Sequence, residues 1–170
     1  TDEVTVWLAL SPVTVENGCM RFLPGSHRDG IKPHKDTFQE DNSLTRGQVL
    51  DVNIDEDQAV QITLEPGEAS LHHGRMFHAS GPNATGRWRL GLAMQFISPS
   101  MKQVVAREDY AQLVRGVDRF RHFKDLPRPT VNFDPKGIAA RERVMAAQKE
   151  ALYAGADMKR KESIRTGGGR

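Results

Sequence analysis

Nowhere in this chain do apolar residues run on for long, and that restricts its fold more than anything else in the sequence. They come in short alternating stretches cut by Gly, Pro and Asn. No stretch of 18 apolar residues exists, so no transmembrane helix is expected. Residues 4–10 alternate: Val4, Val6, Leu8 and Leu10 face one way, Thr5, Trp7 and Ala9 the other. That period of two predicts a strand with both faces covered. Glu16-Asn17-Gly18 supplies a turn, because Asn-Gly tolerates positive φ. Further strands are expected at Cys19–Leu23, Gln48–Asn53, Ala59–Leu64, Ala69–His73, Phe77–Ser80 and Trp88–Ile97, separated by Pro- and Gly-containing turns. Many short strands with such turns predict an all-β sandwich or jelly roll. Residues 24–47 show no period and read as one long loop of the kind that forms a lid or substrate rim.

Beyond Ser100 the pattern changes. Asp134-Pro135 is a helix start, with Asp as N-cap and Pro at the first helical position. Ile138, Met145 and Leu152 recur every seven residues, flanked by Ala139, Ala146 and Tyr153, so a packing stripe is expected on a helix over 135–154. Charge divides at the same place. Residues 1–100 hold 8 Lys+Arg against 13 Asp+Glu, and residues 101–170 hold 16 against 9. A net charge of +2 does not argue for nucleic acid, and a solvated basic helix surface is the preferred reading of the second part. The expected organisation is a β body over 1–100, a basic, helix-rich extension over 101–162 and a disordered tail over 163–170. Cys19 is the only cysteine, so no internal disulfide is possible, which points to a reducing compartment, the cytoplasm. No signal peptide is seen in the opening residues.

No phosphate loop, CxxC pair or nucleophile elbow is present, so the histidines carry the chemical information. His27, His34, His72 and His73 adjoin turns or strand ends, as does His78. His72 and His73 are neighbours and should point to opposite faces of one strand; a structural role is favoured for them. From His78 the chain reads His-Ala-Ser-Gly-Pro-Asn-Ala-Thr-Gly-Arg-Trp-Arg89. It is preceded by Gly67-Glu-Ala-Ser-Leu-His72, by Asn17-Gly-Cys-Met-Arg-Phe-Leu-Pro-Gly-Ser-His27 and by the strand around Trp7.

These segments, in this order and over residues 3–98, resemble the phytanoyl-CoA dioxygenase family of iron(II)- and 2-oxoglutarate-dependent oxygenases. The resemblance implies a double-stranded β-helix (a cupin-like jelly roll), incomplete at the N-terminus, with a C-terminal helical segment. It implies His78 as an iron ligand and Arg89, eleven residues on, as the clamp on the distal carboxylate of 2-oxoglutarate. A guanidinium suits that role because it forks onto a carboxylate with two charge-assisted bonds. It assigns Ser80 as a further hydroxyl for the cosubstrate and Trp7 to the wall of its pocket. Arg87 is expected in a turn facing solvent, with Asn83 and Thr85 holding that turn. The family's His-x-Asp pair would lie ahead of the Trp7 strand, where this sequence has nothing, so the chain reads as the C-terminal part of an oxygenase. His27-Arg28-Asp29 and His34-Lys35-Asp36 fit His-x-Asp by spelling but are rejected as ligands, because both sit in other parts of the resemblance.

The implied reaction consumes molecular oxygen and 2-oxoglutarate, yields succinate and carbon dioxide, and hydroxylates a small molecule. The cations Arg115, Arg119, Arg121, Lys124 and Arg128 would suit an anionic substrate. The alternative is a jelly-roll binding module that keeps the scaffold without catalysis. Fold alone does not separate the two.

Overall fold

A computed structural model describes residues 2–38, 44 and 46–156. The tail expected at 163–170, the end of the extension at 157–162, and residues 39–43 and 45 of the central loop lie outside the described residues. The chain divides into two compact units, Thr1–His34 with Leu50–Ser98, and Lys35–Val49 with Pro99–Arg170.

The first unit is β throughout. Strand β1 (Glu3–Ala9) is central in a three-stranded antiparallel sheet, between β6 (Ala69–His73) and β8 (Gly91–Ile97). Strand β2 (Met20–Phe22) is central in a second, between β5 (Val60–Ile62) and β7 (His78–Ser80). Register settles the faces. Trp7 lies opposite Ser70 and Ala93, and Thr5 opposite His72 and Gln95; Val6 lies opposite Leu71 and Met94, and Leu8 opposite Ala69 and Leu92. Directly opposed residues share a face. One face of the first sheet therefore carries Thr5, Trp7, Ser70 and His72, and the other is mainly aliphatic, with His73 and Phe96 opposite Val4.

The first face is the inner one. Ala9, on it, is fully buried and packs with Val13, Cys19, Trp7 and Leu64. The aliphatic face is open: Leu71 is 68% exposed and Leu92 47%. The expectation that both faces of β1 are covered therefore fails on the aliphatic side, while the alternation itself holds. In the second sheet, Met20 and Phe22 are buried and oppose Ser80 and His78 respectively. The sheets meet where the His72 ring lies 4.7 Å from Phe22 and 5.4 Å from His78.

Turn chemistry holds the strands in place. Asn17 is buried, accepts from the Thr14 N–H at 2.8 Å and donates to the Pro12 carbonyl at 2.8 Å. Gly18 follows at φ 77°, and a Cβ there would stand 2.4 Å from the Gly81 carbonyl oxygen. Glycine is required twice at this position, by backbone conformation and by the close approach of the β7 exit.

Two expectations change here. Residues 24–47 are not one loop, since they contain a 3-10 turn at Ser26–Asp29 and strand β3 (His34–Asp36), which pairs with β4 (Gln48–Leu50). Strand β8 starts at Gly91 rather than Trp88. Leu90 still accepts from Leu10 N–H through its carbonyl, but its own N–H goes to Ser11 Oγ, so a side chain replaces the ladder there. Trp88, ahead of it, is 85% exposed.

In the second unit, helix α1 (Pro135–Tyr153) begins as expected, with Asp134 accepting from the Lys136 N–H at 2.9 Å. Its buried side differs from the expectation. Ile138 and Met145 are nearly half exposed, while Ala140 and Ala147 are buried. Alanines also repeat every seven residues, and Ala140 and Ala147 are the residues of α1 that are buried. Residues 99–134 hold no regular strand or helix among the described residues, so α1 is the one helix there of the helix-rich extension expected. Asp36 and Arg46 form a buried bidentate pair, and the guanidinium also donates to the Leu152 carbonyl near the end of α1. Lys124, one of the cations noted for an anionic substrate, is paired with Glu108. No helix among the described residues is long and apolar enough to cross a membrane.

Candidate functional site

Trp7 and Arg89 belong to the first sheet's inner face, and His78 and Ser80 to one face of the second sheet. His78 opens β7, opposite Phe22, with its side chain exposed between the sheets. Its Nδ1 lies 2.8 Å from the Met76 carbonyl oxygen. A carbonyl only accepts, so Nδ1 carries a proton, and in the neutral tautomer this leaves the lone pair on Nε2. A metal-ligating histidine is typically held this way.

The motif before His78 explains its placement. Ser26, 4% exposed, accepts from the Phe77 N–H at 2.9 Å through Oγ, which also contacts Met76 Sδ at 3.4 Å. The Leu23 N–H donates to the Phe77 carbonyl at 3.0 Å. Gly25, at φ 83°, lets the chain turn so that Ser26 points inward. The Pro-Gly-Ser-His segment thus fixes the residue immediately before His78. Sequence reading singled out the motif without this role for Ser26.

Arg89 lies two residues before β8, not on it as the strand boundary had suggested, but backbone pairing through Leu90 keeps it in phase with Gly91 on the inner face. Its guanidinium carbon sits 5.5 Å from the centre of the Trp7 ring. Trp7 is half-buried and covers Gly91, where a Cβ would be 2.0 Å from the indole. The cation is therefore stacked and oriented. Nη1 of Arg89 is buried with no hydrogen-bond partner. Leaving a buried cationic donor unpaired costs several kcal/mol relative to pairing it, so the arrangement suits an incoming anion. Ser70 Oγ, opposite Trp7, and His72 Nδ1, opposite Thr5, are likewise buried and unpaired on this face. Burial, with the nearby His78 adding to it, pushes the His72 pKa below its ordinary value and keeps the ring neutral.

Ser80 shares the His78 face of β7 and is exposed. Asn83 and Thr85 hold the turn, as expected: Asn83 donates to the Arg87 carbonyl and accepts from both the Thr85 N–H and its hydroxyl. Arg87 is exposed. His73 points to the opposite face from His72, beside His27 at 5.5 Å. In the second His-x-Asp spelling, Asp36 is taken by Arg46. No group of three or more His, Cys, Asp or Glu placed to hold a metal occurs among the described residues. What is present fits part of a non-haem iron and 2-oxoglutarate site: an imidazole with a free Nε2, and a stacked, unpaired guanidinium for a carboxylate.

Missed by sequence reading were Ser70 and the inward placement of His72. Both follow from the register of β6 on β1, for which the chain carries no local signal.

Residues 2–91 match the family described as "Phytanoyl-CoA dioxygenase (PhyH)". The peroxisomal phytanoyl-CoA dioxygenase of Mus musculus is 29% identical over 136 residues, covering 72% of this chain and 39% of the relative. A Danio rerio phytanoyl-CoA dioxygenase domain-containing protein 1 is 35% identical over 85 residues, covering 47% of this chain and 28% of the relative. The chain thus spans well under half the length of these relatives. Among solved structures, the apo form of the non-heme monooxygenase ThoJ superposes with a TM-score of 0.76 at 35% identity, covering 89% of this chain and 54% of ThoJ. EvdO2 of Micromonospora carbonacea, complexed with 2-oxoglutarate, gives a TM-score of 0.50 at 37% identity, covering 56% of this chain and 38% of EvdO2.

Proposed function

The chain belongs to the phytanoyl-CoA dioxygenase family, and from that premise we propose that it forms part of an iron(II)- and 2-oxoglutarate-dependent oxygenase acting on a small molecule. The observation that carries this is Arg89: a guanidinium stacked on Trp7, with Nη1 buried and unpaired, on a face that meets His78 through His72. Iron(II) with 2-oxoglutarate and oxygen supplies the oxidation of a C–H bond, with succinate and carbon dioxide as co-products. The chain's own residues bind and orient. Arg89 receives the distal carboxylate of 2-oxoglutarate, and the Trp7 ring keeps the guanidinium from swinging away. His78 offers Nε2 to the metal, with its tautomer held by the Met76 carbonyl. Ser80, two residues along the same face, adds a hydroxyl toward the cosubstrate. Cys19, buried and unpaired, favours a reducing compartment such as the cytoplasm.

The test is 2-oxoglutarate binding read by saturation-transfer NMR, which detects weak complexes. Removing one partner of a buried charge pair costs about 2–5 kcal/mol. Arg89→Ala should therefore abolish the 2-oxoglutarate signal, whereas Arg87→Ala should leave it. Equal loss in both variants, or no signal from the wild-type chain, would refute the assignment. Binding that persists without any turnover in the intact protein would favour the non-catalytic jelly-roll module.

A further inference from the structure

In the second unit, the chain between Lys124 and Thr130 is held at both ends. Lys124 donates its N–H to the Asp109 carbonyl at 2.9 Å and forms a bridge with Tyr110. Thr130 donates through its N–H and its hydroxyl to Asp134, the cap of α1, each at 3.1 Å. Between these ties the chain reads Asp125-Leu-Pro-Arg-Pro129 and has no regular structure. Proline at 127 and 129 fixes φ twice and disfavours helix at the residue before each, so this strap is stiff. Pro129 lies against the first turn of α1, where a Cβ on Gly137 would stand 3.6 Å from its Cγ. Beside that contact, at the small Ala139, a cavity of about 490 Å3 opens, lined by Asp125, Leu126, Pro127, Lys136, Ala139 and Arg143.

We propose that this cavity binds a small amphiphilic anion, a carboxylate on an apolar body. The carboxylate faces Lys136 and Arg143, and the body packs on Leu126, Pro127 and Ala139. The site uses neither Arg89 nor His78, so it stands independently of the oxygenase reading.

Charge and shape both argue for it. Lys136 and Arg143 are seven residues apart, so they share one side of α1 at about 10.5 Å along its axis, and their long side chains can converge on one head group. Neither makes an ion pair among the described residues. Glu108 feels the Arg143 charge, but its two oxygens are already engaged by Tyr110 and Lys124. Asp125 is the one acid of the lining, so the cations outnumber it. The helix N-terminus does not supply the attraction, because Asp134 already accepts from the Lys136 N–H. A ligand without an apolar body would leave the Leu126, Pro127 and Ala139 wall wet, and a neutral one would leave both cations without counter-charge. The volume lies within the range of about 300–1,000 Å3 common for small-molecule sites.

The probe is 2-naphthoate, added to the full chain at neutral pH and followed by nitrogen–proton correlation NMR. The amides of Leu126, Lys136, Ala139 and Arg143 should shift together on one binding curve. Lys136→Gln and Arg143→Gln should each weaken binding about threefold, the size of an exposed charge contact. Arg141→Gln and Lys149→Gln remove the same charge from exposed positions of α1 outside the lining and should match wild type. The uncharged 2-naphthamide should bind more weakly than 2-naphthoate, and Ala139→Leu, which fills the cavity, should abolish binding. Equal weakening in Arg141→Gln would mean general attraction to a basic surface and would overturn the proposal. Equal binding of 2-naphthamide would overturn the part given to the cations, and unchanged binding in Ala139→Leu would overturn the location. The shift pattern of the wild-type chain does not depend on how any variant folds. Shifts confined to the first unit would overturn the proposal while leaving the Arg89 assignment intact, and no shifts anywhere would overturn it outright.

Discussion

Gly91→Ala tests how the carboxylate clamp is built. Gly91 is not among the residues with positive φ, so alanine costs nothing in backbone conformation there. The penalty comes from Trp7. An added Cβ would stand 2.0 Å from Cζ2 of the indole and 2.5 Å from Cε2 and Cη2. Carbon atoms pack best at about 3.5–4.0 Å, so the ring must move by about 1.5 Å or more. Overpacking of this kind costs about 1–3 kcal/mol.

The displaced atoms all belong to the six-membered ring of the indole, which Trp7→Phe removes. In that background Gly91→Ala should cost nothing, or even stabilise by about 0.4–1 kcal/mol by restricting the unfolded chain. Stability is measured by urea unfolding followed by far-UV circular dichroism in the wild type, both single variants and the double variant. The reasoning requires a coupling energy of at least about 1 kcal/mol, whereas independent sites add within about 0.3–0.5 kcal/mol. Additive effects would mean that Trp7 does not lie over Gly91, and the stacked position of Arg89 would fall with it.

Three further outcomes follow. Ser26→Ala leaves the Phe77 N–H without its acceptor in a buried setting and should lower stability by about 1–3 kcal/mol; an unchanged urea midpoint would contradict the role given to Ser26. Arg46→Ala strips the buried Asp36 carboxylate of its guanidinium and should cost about 3–5 kcal/mol in thermal or urea unfolding, against a negligible effect from the exposed Arg87→Ala. Burial holds His72 below its ordinary pKa of 6.5, so the unfolded chain takes up the proton more readily than the fold. This contribution to stability is complete above pH 6.5 and disappears as pH falls through the depressed value. In metal-free protein, His72→Phe should therefore flatten the fall in stability below pH 6.5, and an identical pH profile would count against a buried neutral ring.

Local chemistry accounts for what the sequence made legible. Asp134-Pro135 announces α1 because a cap and a preset φ act within one turn, and the helix starts there. Asn17-Gly18 announces a turn for the same reason. The buried face of α1 was not legible. Ile138, Met145 and Leu152 repeat every seven residues, but so do Ala140 and Ala147, and periodicity cannot choose between two stripes of equal period. The choice belongs to what packs on the helix, which lies outside its own period. The start of β8 was displaced similarly. Alternation continues back to Trp88, yet the Ser11 hydroxyl takes the Leu90 N–H and ends the ladder, and nothing near Leu90 foretells a partner 79 residues away.

The site divides along the same line. His78 and Arg89 stand in one continuous motif, and the turn between them is held by contacts within four residues, from Asn83 to Thr85 and Arg87. A motif of that kind survives in the sequence as spacing. Ser70 and His72 share their face with Trp7 and Thr5 only because β6 runs antiparallel to β1 in one register; a slip of one residue would send both outward and bring Leu71 and His73 in. His72 and His73 are thus equivalent as letters and opposite in placement. Nδ1 of the ring opposite Thr5 is buried without a hydrogen-bond partner, while Nδ1 of the ring opposite Val4 accepts from the Arg75 N–H. Register is set by strands that lie far apart in the chain, so the different surroundings of His72 and His73 are a property of pairing that no reading of the His-His dipeptide alone contains.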